Sequence, residues 1–303
     1  MEDRRTDTYL LIIALIAIGI FQCDYKFSDP PTDDLYYNSD VDDIPNNYQS
    51  PAKADSRACK ILFLGNSLTY YNAQPNILEA LAAHGNKWIF VDQYCPSGMQ
   101  LDYHCHSLMS RQKISEQQWN FVILQEAIPE IVSPSLHAQV LPFVTALKEM
   151  ILENNPTTKI FYFMCYGNRD GYDYMYIHES YTEHQHNIIE GTKQFVESAG
   201  IMTAPVGSAW AVVRNERPEI ELYRDDGGHP SYEGSYLGAS VYYAAIFQEN
   251  IDTLNYPGRS DSMTTAYLRS VASEIVLKDL DIWRILPLSD EEHWELDQVL
   301  IPD

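Results

Sequence analysis

Short strand-like apolar runs alternate with segments of helical spacing over most of this 303-residue chain. The strand-like runs occupy residues 60–64, 88–94, 121–125, 159–164 and 200–206. Segments with apolar residues at helical spacing lie at 74–85, 135–153, 176–198 and 207–215. Short apolar strands separated by helices are typical of a parallel sheet that is buried on both faces. The pattern therefore predicts one α/β/α sandwich domain, with a central parallel sheet of about five strands, over residues 57–303.

The first 23 residues carry a different pattern. Residues 10–21 form an unbroken apolar run, and Cys23 follows almost directly. The run is shorter than the roughly 20 residues that a membrane-spanning helix needs, and it fits the apolar region of a signal peptide. We therefore expect residues 1–23 to be a signal peptide or a lipoprotein signal that directs export to the periplasm or cell surface. In the second case Cys23 would be the acylated cysteine of a membrane-attached lipoprotein. A short uncleaved anchor is the alternative.

Residues 24–56 show no sustained apolar period and are rich in Asp, Pro, Asn and Ser. Such a composition does not form a packed core, and its excess of acidic side chains keeps the segment extended. We expect an acidic disordered segment here. It is either a tether between an anchor and the folded domain or simply a disordered tail.

The charge of the chain limits its partners. Acidic residues outnumber basic residues by 43 to 20, which gives a formal net charge of −23. A field of this sign repels phosphate backbones and anionic lipid, so we expect no nucleic-acid partner. Neutral and cationic partners are compatible with the charge, and high solubility is its simplest consequence.

Cysteine and histidine residues raise the questions of disulfides and of a metal site. The cysteines that remain after Cys23 are even in number, and outside the cytosol they could pair in three ways; they are Cys59, Cys95, Cys105 and Cys165. Histidines occur at His104, His106, His178, His184 and His186. Metal ligation needs three or four converging ligands, whereas helical residues two apart face different sides. We therefore expect neither a metal nor another cofactor.

The loops that follow parallel strands carry the functional residues of α/β sheets. Gly65, Asn66 and Ser67 follow the first predicted strand. A serine near a glycine that permits a tight turn is well placed for nucleophilic attack. The same residues are also typical of an ordinary turn, so Ser67 indicates catalysis only together with a suitable base.

A second polar loop, residues 224–230, follows the last predicted strand. In it Asp226 and His229 are three residues apart, a spacing at which the carboxylate can bond one ring nitrogen while the other faces the serine. The histidine would then act as general base and general acid, and the aspartate would fix its tautomer. Asp225 is a less well spaced rival, and a plain loop that ends at a capping Ser231 is the non-catalytic interpretation.

These two motifs resemble those of the SGNH (GDSL-like) hydrolase superfamily. In that family the nucleophile follows the first strand in a G-D/N-S-x-T block, which residues 65–69 match, and a D-x-x-H-P block supplies acid and base, which residues 226–230 match. The branch with G-N-S-x-T and L-Q-E blocks looks the most similar. The resemblance implies a flavodoxin-like sheet and a serine esterase whose triad is Ser67, Asp226 and His229.

The resemblance also implies an oxyanion hole. The family uses the backbone N–H of a glycine after the second strand, which Gly98 matches, and the N–H of the nucleophile Ser67 is another donor. Where the family commonly has G-x-N-D after the third strand, this chain has Leu124, Gln125 and Glu126. The Gln125 amide can donate in place of the asparagine. A purely structural role at the strand end is the alternative.

Together these features predict an exported serine esterase whose partner is a small ester or an acylated glycan. Removal of acetyl groups from carbohydrate is implied by the resemblance and by the expected export. A non-catalytic carbohydrate-binding or scaffold protein on a decayed hydrolase fold is the alternative. An α/β-hydrolase is not supported, because no serine has the G-x-S-x-G context of that fold. The aromatic residues of 162–181, with Trp210 and Tyr223, either pack in the core or stack on sugar rings.

Overall fold

The computed structural model describes residues 51–126, 134–174, 177–289, 292, 294 and 295. The predicted signal at 1–23, its lipid-attachment residue Cys23 and the predicted tether up to residue 50 lie outside these ranges. Within them, no helix combines the length and the apolar character that crossing a membrane requires.

The strands form one central sheet and one short hairpin. They are β1 (Cys59–Leu64), β2 (Ile89–Tyr94), β3 (Phe121–Leu124), β4 (Lys159–Phe163), β5 (Tyr172–Tyr174), β6 (Ile177–Glu179) and β7 (Met202–Ala204). The central sheet is parallel, with the order β2-β1-β3-β4-β7, and β5 and β6 pair with each other in antiparallel fashion. This is the strand order of flavodoxin-like sheets, so the predicted five-stranded parallel sheet is confirmed.

Helices cover both faces of the sheet. They are α1 (Ser67–Tyr70), α2 (Gln74–His84), α3 (Leu101–His106), α4 (Leu108–Ser115), α5 (Pro134–Asn154), α6 (Tyr181–Ala199), α7 (Val206–Glu216), α8 (Tyr232–Phe247) and α9 (Ser262–Leu277). Alternate residues of β1 enter opposite layers, because successive side chains of a strand point to opposite faces. Ile61 and Phe63 pack with α2, α7, α8 and α9, whereas Leu62 and Leu64 pack with α3 to α6. The predicted three layers are therefore present.

Helix α8 is the buried centre of one layer. All its residues from Gly234 to Phe247 are buried, which fits a helix that is apolar on every side. Ser231 caps its first turn by accepting a hydrogen bond from the Gly234 N–H at 3.1 Å. Because the loop that contains His229 ends at this cap, the position of that loop is set by a rigid core element.

Three details differ from the sequence expectations. The helix expected at 176–198 begins only at Tyr181, where Ser180 and Glu183 form a capping box, and β5 and β6 precede it. Residues 51–56, placed in the tether by composition, contact the domain, because Ala52 is fully buried and Asp55 accepts a hydrogen bond from the Trp88 indole at 3.2 Å.

The cysteines give the third difference. The four cysteines of the described region, at positions 59, 95, 105 and 165, are all free. Burial raises the pKa of the Cys59 and Cys95 thiols, which makes both unreactive. The disulfide pairing that an even number of cysteines allows is therefore not formed.

Candidate active site

The candidate nucleophile lies where β1 passes into α1. Asn66 caps this one-turn helix, since its side-chain oxygen accepts the Leu68 N–H at 3.1 Å. The Asn66 amide nitrogen donates to the Met99 carbonyl at 2.9 Å, which joins this turn to the loop after β2. Ser67 is the first residue of the helix and is 8% exposed. Its hydroxyl is therefore held on a fixed backbone at the carboxyl edge of the sheet.

The structure brings Ser67, His229 and Asp226 together in one hydrogen-bonded chain. The His229 Nε2 atom lies 2.9 Å from the Ser67 Oγ atom, and the His229 Nδ1 atom lies 2.7 Å from Asp226 Oδ2. Both distances are within hydrogen-bond range. A carboxylate accepts only, so Nδ1 carries the proton and Nε2 is left to accept the serine proton. The ring is thus in the tautomer that a general base requires.

Asp226, and not Asp225, orients the histidine. Its Oδ1 atom accepts the backbone N–H groups of Gly228 and His229, each at 2.9 Å. Partial burial raises the pKa of Asp226, but these two N–H groups and the His229 ring outweigh burial and lower the pKa to about 2. The carboxylate is therefore charged at neutral pH. The Asp225 carbonyl instead accepts from the Arg169 guanidinium at 3.3 Å.

Two backbone N–H groups are available for a negatively charged oxygen. The Ser67 N–H belongs to the first turn of α1, where no intrahelical acceptor exists. Gly98 has φ +70°, a conformation that favours glycine, and lies at an exposed turn after β2. Neither N–H has a hydrogen-bond partner in the part of the chain that the structure describes. The two predicted backbone donors of the oxyanion hole are thus both unoccupied.

The comparisons with known proteins bear on the fold. No protein-family model and no curated protein matches the sequence. Among solved structures, a DUF4886 family protein from Bacteroides uniformis matches with TM-score 0.62 and 16% identity, over 73% of this chain and 95% of that chain. A "putative SGNH hydrolase" from Slackia heliotrinireducens matches with TM-score 0.51 and 26% identity, over 61% of this chain and 97% of that chain. The chain has the SGNH hydrolase fold.

An acetyl xylan esterase also overlays on the SGNH fold of this chain, with TM-score 0.48 and 13% identity, over 62% of this chain and 99% of that chain. A likeness at this level carries no argument about the reaction or the substrate. The match to the "putative SGNH hydrolase" is likewise distant. The roles of individual residues therefore depend on the geometry of this site.

Gln125 stands where SGNH hydrolases have the asparagine that is their third oxyanion donor, and its contacts indicate a different role. The side chain is fully buried. Its Oε1 atom accepts the Asn66 N–H at 2.7 Å and the Thr69 hydroxyl at 3.1 Å, and its Nε2 atom donates to the Glu126 carbonyl at 2.7 Å. The amide oxygen therefore faces the nucleophile turn. In this arrangement Gln125 holds the backbone beside Ser67, which favours the structural alternative over an oxyanion donor.

His104 also supports the nucleophile turn of the SGNH fold, a role that the sequence did not indicate. The ring is fully buried, and its Nε2 atom donates to the Gly65 carbonyl at 2.8 Å. The Nδ1 atom lies 2.8 Å from the Ser110 hydroxyl, which then donates to it. Burial lowers the pKa of His104 to about 4, so the ring is neutral at neutral pH. His106, two residues further on, is exposed and contacts the Asp102 carbonyl at 2.7 Å.

Asn72 joins the two halves of the site. It and Ala73 adopt left-handed backbone conformations, with φ +53° and +50°. The Asn72 amide nitrogen lies within hydrogen-bond distance of three acceptors, which are the carbonyls of Pro230 (3.0 Å) and Ser231 (2.9 Å) and the hydroxyl of Ser235 (2.8 Å). The residue before it, Tyr71, packs on the His229 ring with ring centroids 4.5 Å apart. The segment after Ser67 therefore contacts the histidine loop directly.

The remaining candidates lie away from this chemistry. His184 pairs with Glu179 at 2.9 Å and His178 with Asp173 at 2.7 Å. In the described ranges no three His, Cys, Asp or Glu residues are grouped as metal ligands.

Several of the aromatic residues that could have stacked on a sugar pack in the core. Tyr162, Tyr166, Trp210 and Tyr223 are all buried. Trp210 stacks on Tyr166 with ring centroids 3.5 Å apart. Tyr71, which no sequence pattern distinguished from its neighbours, packs on the His229 ring instead.

Proposed function

We propose that this protein is an exported serine esterase that hydrolyses carboxylic esters through Ser67, His229 and Asp226. The single observation that carries the proposal is the continuous hydrogen-bonded chain of 2.9 Å and 2.7 Å through the histidine ring. Such a chain is the arrangement by which a serine hydroxyl is activated for acyl transfer. The hydrolase fold supports the same reaction class. Export rests on residues 10–21 and Cys23.

The reaction proceeds in two halves. In the first, the Ser67 Oγ atom bonds to the ester carbonyl carbon while His229 Nε2 takes its proton, and the carbonyl electron pair moves to the oxygen. The Ser67 and Gly98 N–H groups stabilise that oxygen. The tetrahedral species collapses with cleavage of the bond to the alcohol oxygen, which receives the proton from His229. In the second half, water repeats the sequence on the acyl-serine and releases the acid.

The proposed substrate is a short acyl ester, such as acetyl, on a carbohydrate. Two considerations support this choice: the resemblance to SGNH esterases and the expected export to a place where glycans occur. The charge of −23 opposes phosphate-rich polymers at long range.

An acetate-release screen over acetylated glycans tests the proposal, with Ser67→Ala as the inactive variant. Ser198→Ala is the matched control, because its hydroxyl lies on α6 and bonds the Gln194 carbonyl at 3.1 Å. We expect release by the wild type and by the control but not by Ser67→Ala. Substantial release by Ser67→Ala would move the chemistry to another group. Absence of release from any ester by folded wild-type protein would favour the non-catalytic scaffold alternative.

A further inference from the structure

The alcohol part of an ester has a defined place in this site. In the proposed reaction His229 protonates the leaving oxygen, so that oxygen must come within hydrogen-bond reach of Nε2. The carbonyl oxygen lies on the other side, at the Ser67 and Gly98 N–H groups. The substituents of the alcohol therefore extend along the side of the histidine ring. Tyr71 borders that side, with its ring 4.5 Å from the His229 ring.

An arginine side chain stands on the Tyr71 ring. The Arg224 Cζ atom lies 4.9 Å from the Tyr71 ring centroid, so only one aromatic ring separates the guanidinium from the His229 ring. The cation–π contact orients the guanidinium without using its N–H donors as hydrogen bonds to a carboxylate. The Arg224 side chain is exposed, whereas Tyr71 is half-buried. The exposed guanidinium is thus joined to the His229 ring through the Tyr71 ring.

Arg224 is an exposed cation in a strongly acidic protein, next to the candidate active site. Some described arginines pair with carboxylates within 4 Å, such as Arg57 with Asp55 and Arg217 with Glu219, whereas Arg214 donates to a carbonyl and a tyrosine hydroxyl. Arg224 forms no ion pair with any described residue, although Asp225 and Asp226 follow it directly in the chain. The Asp226 carboxylate is directed to His229 instead. The guanidinium therefore keeps its full capacity to bind an external anion.

We infer that Arg224 binds an anionic group on the alcohol part of the substrate, a carboxylate such as that of a uronic acid. The planar guanidinium matches a carboxylate through two parallel hydrogen bonds. The net charge of −23 repels an anionic ligand at long range. At physiological salt, where the Debye length is about 8 Å, this long-range repulsion is largely screened. An ion pair in direct contact is screened much less. The inference rests on the proposed esterase function and adds the charge of the substrate to it.

A matched pair of esters tests the inference. Para-acetoxybenzoate and its methyl ester release the same acetyl group from closely similar phenols, and they differ in a carboxylate on the alcohol side. The enzymes are the wild type, Arg224→Gln and Arg57→Gln. Arg57 is the matched control, because it lies just before β1, at the opposite edge of the sheet, and is exposed. The measured quantity is kcat/KM, at low and at high salt, with thermal unfolding of each variant.

We expect the wild type and Arg57→Gln to prefer the anionic ester by about fivefold, as an exposed ion pair allows. High salt and Arg224→Gln should each remove the preference, so that the two esters are turned over alike. Equal turnover of both esters by the wild type would overturn the inference, as would an equal loss on both in Arg224→Gln. Turnover of neither ester by folded wild type would instead overturn the esterase function, and the inference with it.

Discussion

Acid should destabilise the protein through His104, and the structure gives the size of the effect. Burial lowers the pKa of this ring from 6.5 to about 4, against smaller opposing effects of the Gly65 carbonyl and Asp102. The unfolded chain binds the proton near the ordinary value of 6.5, so between the two values the unfolded state carries a proton that the folded state lacks. Stability is therefore unaffected above that range and falls as the pH drops toward 4. At about 1.36 kcal/mol per pKa unit, the free energy of unfolding falls by roughly 3 kcal/mol.

His104→Gln tests this reasoning, because a glutamine amide does not titrate and can still donate to the Gly65 carbonyl. Urea unfolding of wild type and variant is followed by tryptophan fluorescence between neutral pH and the mildly acidic range. The stability of the wild type relative to the variant should fall by roughly 2 to 3 kcal/mol over this range. His84→Gln is the control, because His84 is exposed on α2. The stability of the wild type relative to His84→Gln should show no comparable fall, because both proteins keep His104.

If the difference in the free energy of unfolding between wild type and His104→Gln stays constant with pH, the conclusion that His104 is buried and neutral is refuted. The ring packs edge-on against Tyr94 and Tyr103, with centroids 5.8 Å and 5.7 Å away. Only the Gly65 carbonyl and Asp102 favour a protonated ring, and burial outweighs both, since the pKa of His104 is lowered to about 4.

Three further substitutions test the site. Asp226→Asn should lower kcat roughly 10³- to 10⁴-fold with the fold intact, because the amide nitrogen would donate to His229 Nδ1 and shift the ring proton to Nε2. Kinetics on an aryl acetate measure this effect, and a loss of kcat below tenfold would contradict it. Asn72→Asp places a carboxylate against the Pro230 carbonyl and should lower both kcat and melting temperature, whereas unchanged kinetics would show that the contact is not needed. Gln125→Leu leaves the buried Asn66 N–H unpaired and should cost roughly 1 to 3 kcal/mol in urea unfolding; an unaltered midpoint would exclude that hydrogen bond.

The sheet and the two principal motifs could be predicted because their signals are local. Each strand is a short apolar run, and the residues that follow it reach the same edge of the sheet whatever the detailed packing. Strands β1 and β3 begin and end within one residue of the predicted runs. The spacing within 226–229 is likewise a property of one loop, so the bond between Asp226 and His229 follows from four consecutive residues.

The supporting contacts could not be predicted because they join residues far apart in the chain. Asn72 meets Pro230 across 158 positions, and Gln125 meets Asn66 across 59. No periodicity encodes such pairs, and Gln125 was open to two interpretations for that reason. His104 carried no local signal for its role beside the nucleophile turn. Its burial depends on Tyr94 and Ser110, which adjoin it only in the folded chain.

The helix expected at 176–198 shows where a local signal gives the wrong boundary. The segment before Tyr181 is polar and aromatic, a composition compatible with a helix or a strand. The capping box of Ser180 and Glu183 fixes the start of the helix, and residues 172–174 pair with 177–179 as a hairpin. Ser180 three residues before Glu183 is visible in the sequence, and greater weight on this capping pattern would have placed the boundary correctly.

Covalent labelling of Ser67 tests the central claim most directly. Folded wild-type protein is treated with a fluorophosphonate, which reacts only with an activated serine, and the adduct is located by intact mass and peptide mapping. The proposed triad predicts one adduct, on Ser67, that is absent from Ser67→Ala and strongly reduced in His229→Ala. Folded protein in which Ser67 stays unlabelled, or in which another serine takes the probe, would contradict the claim.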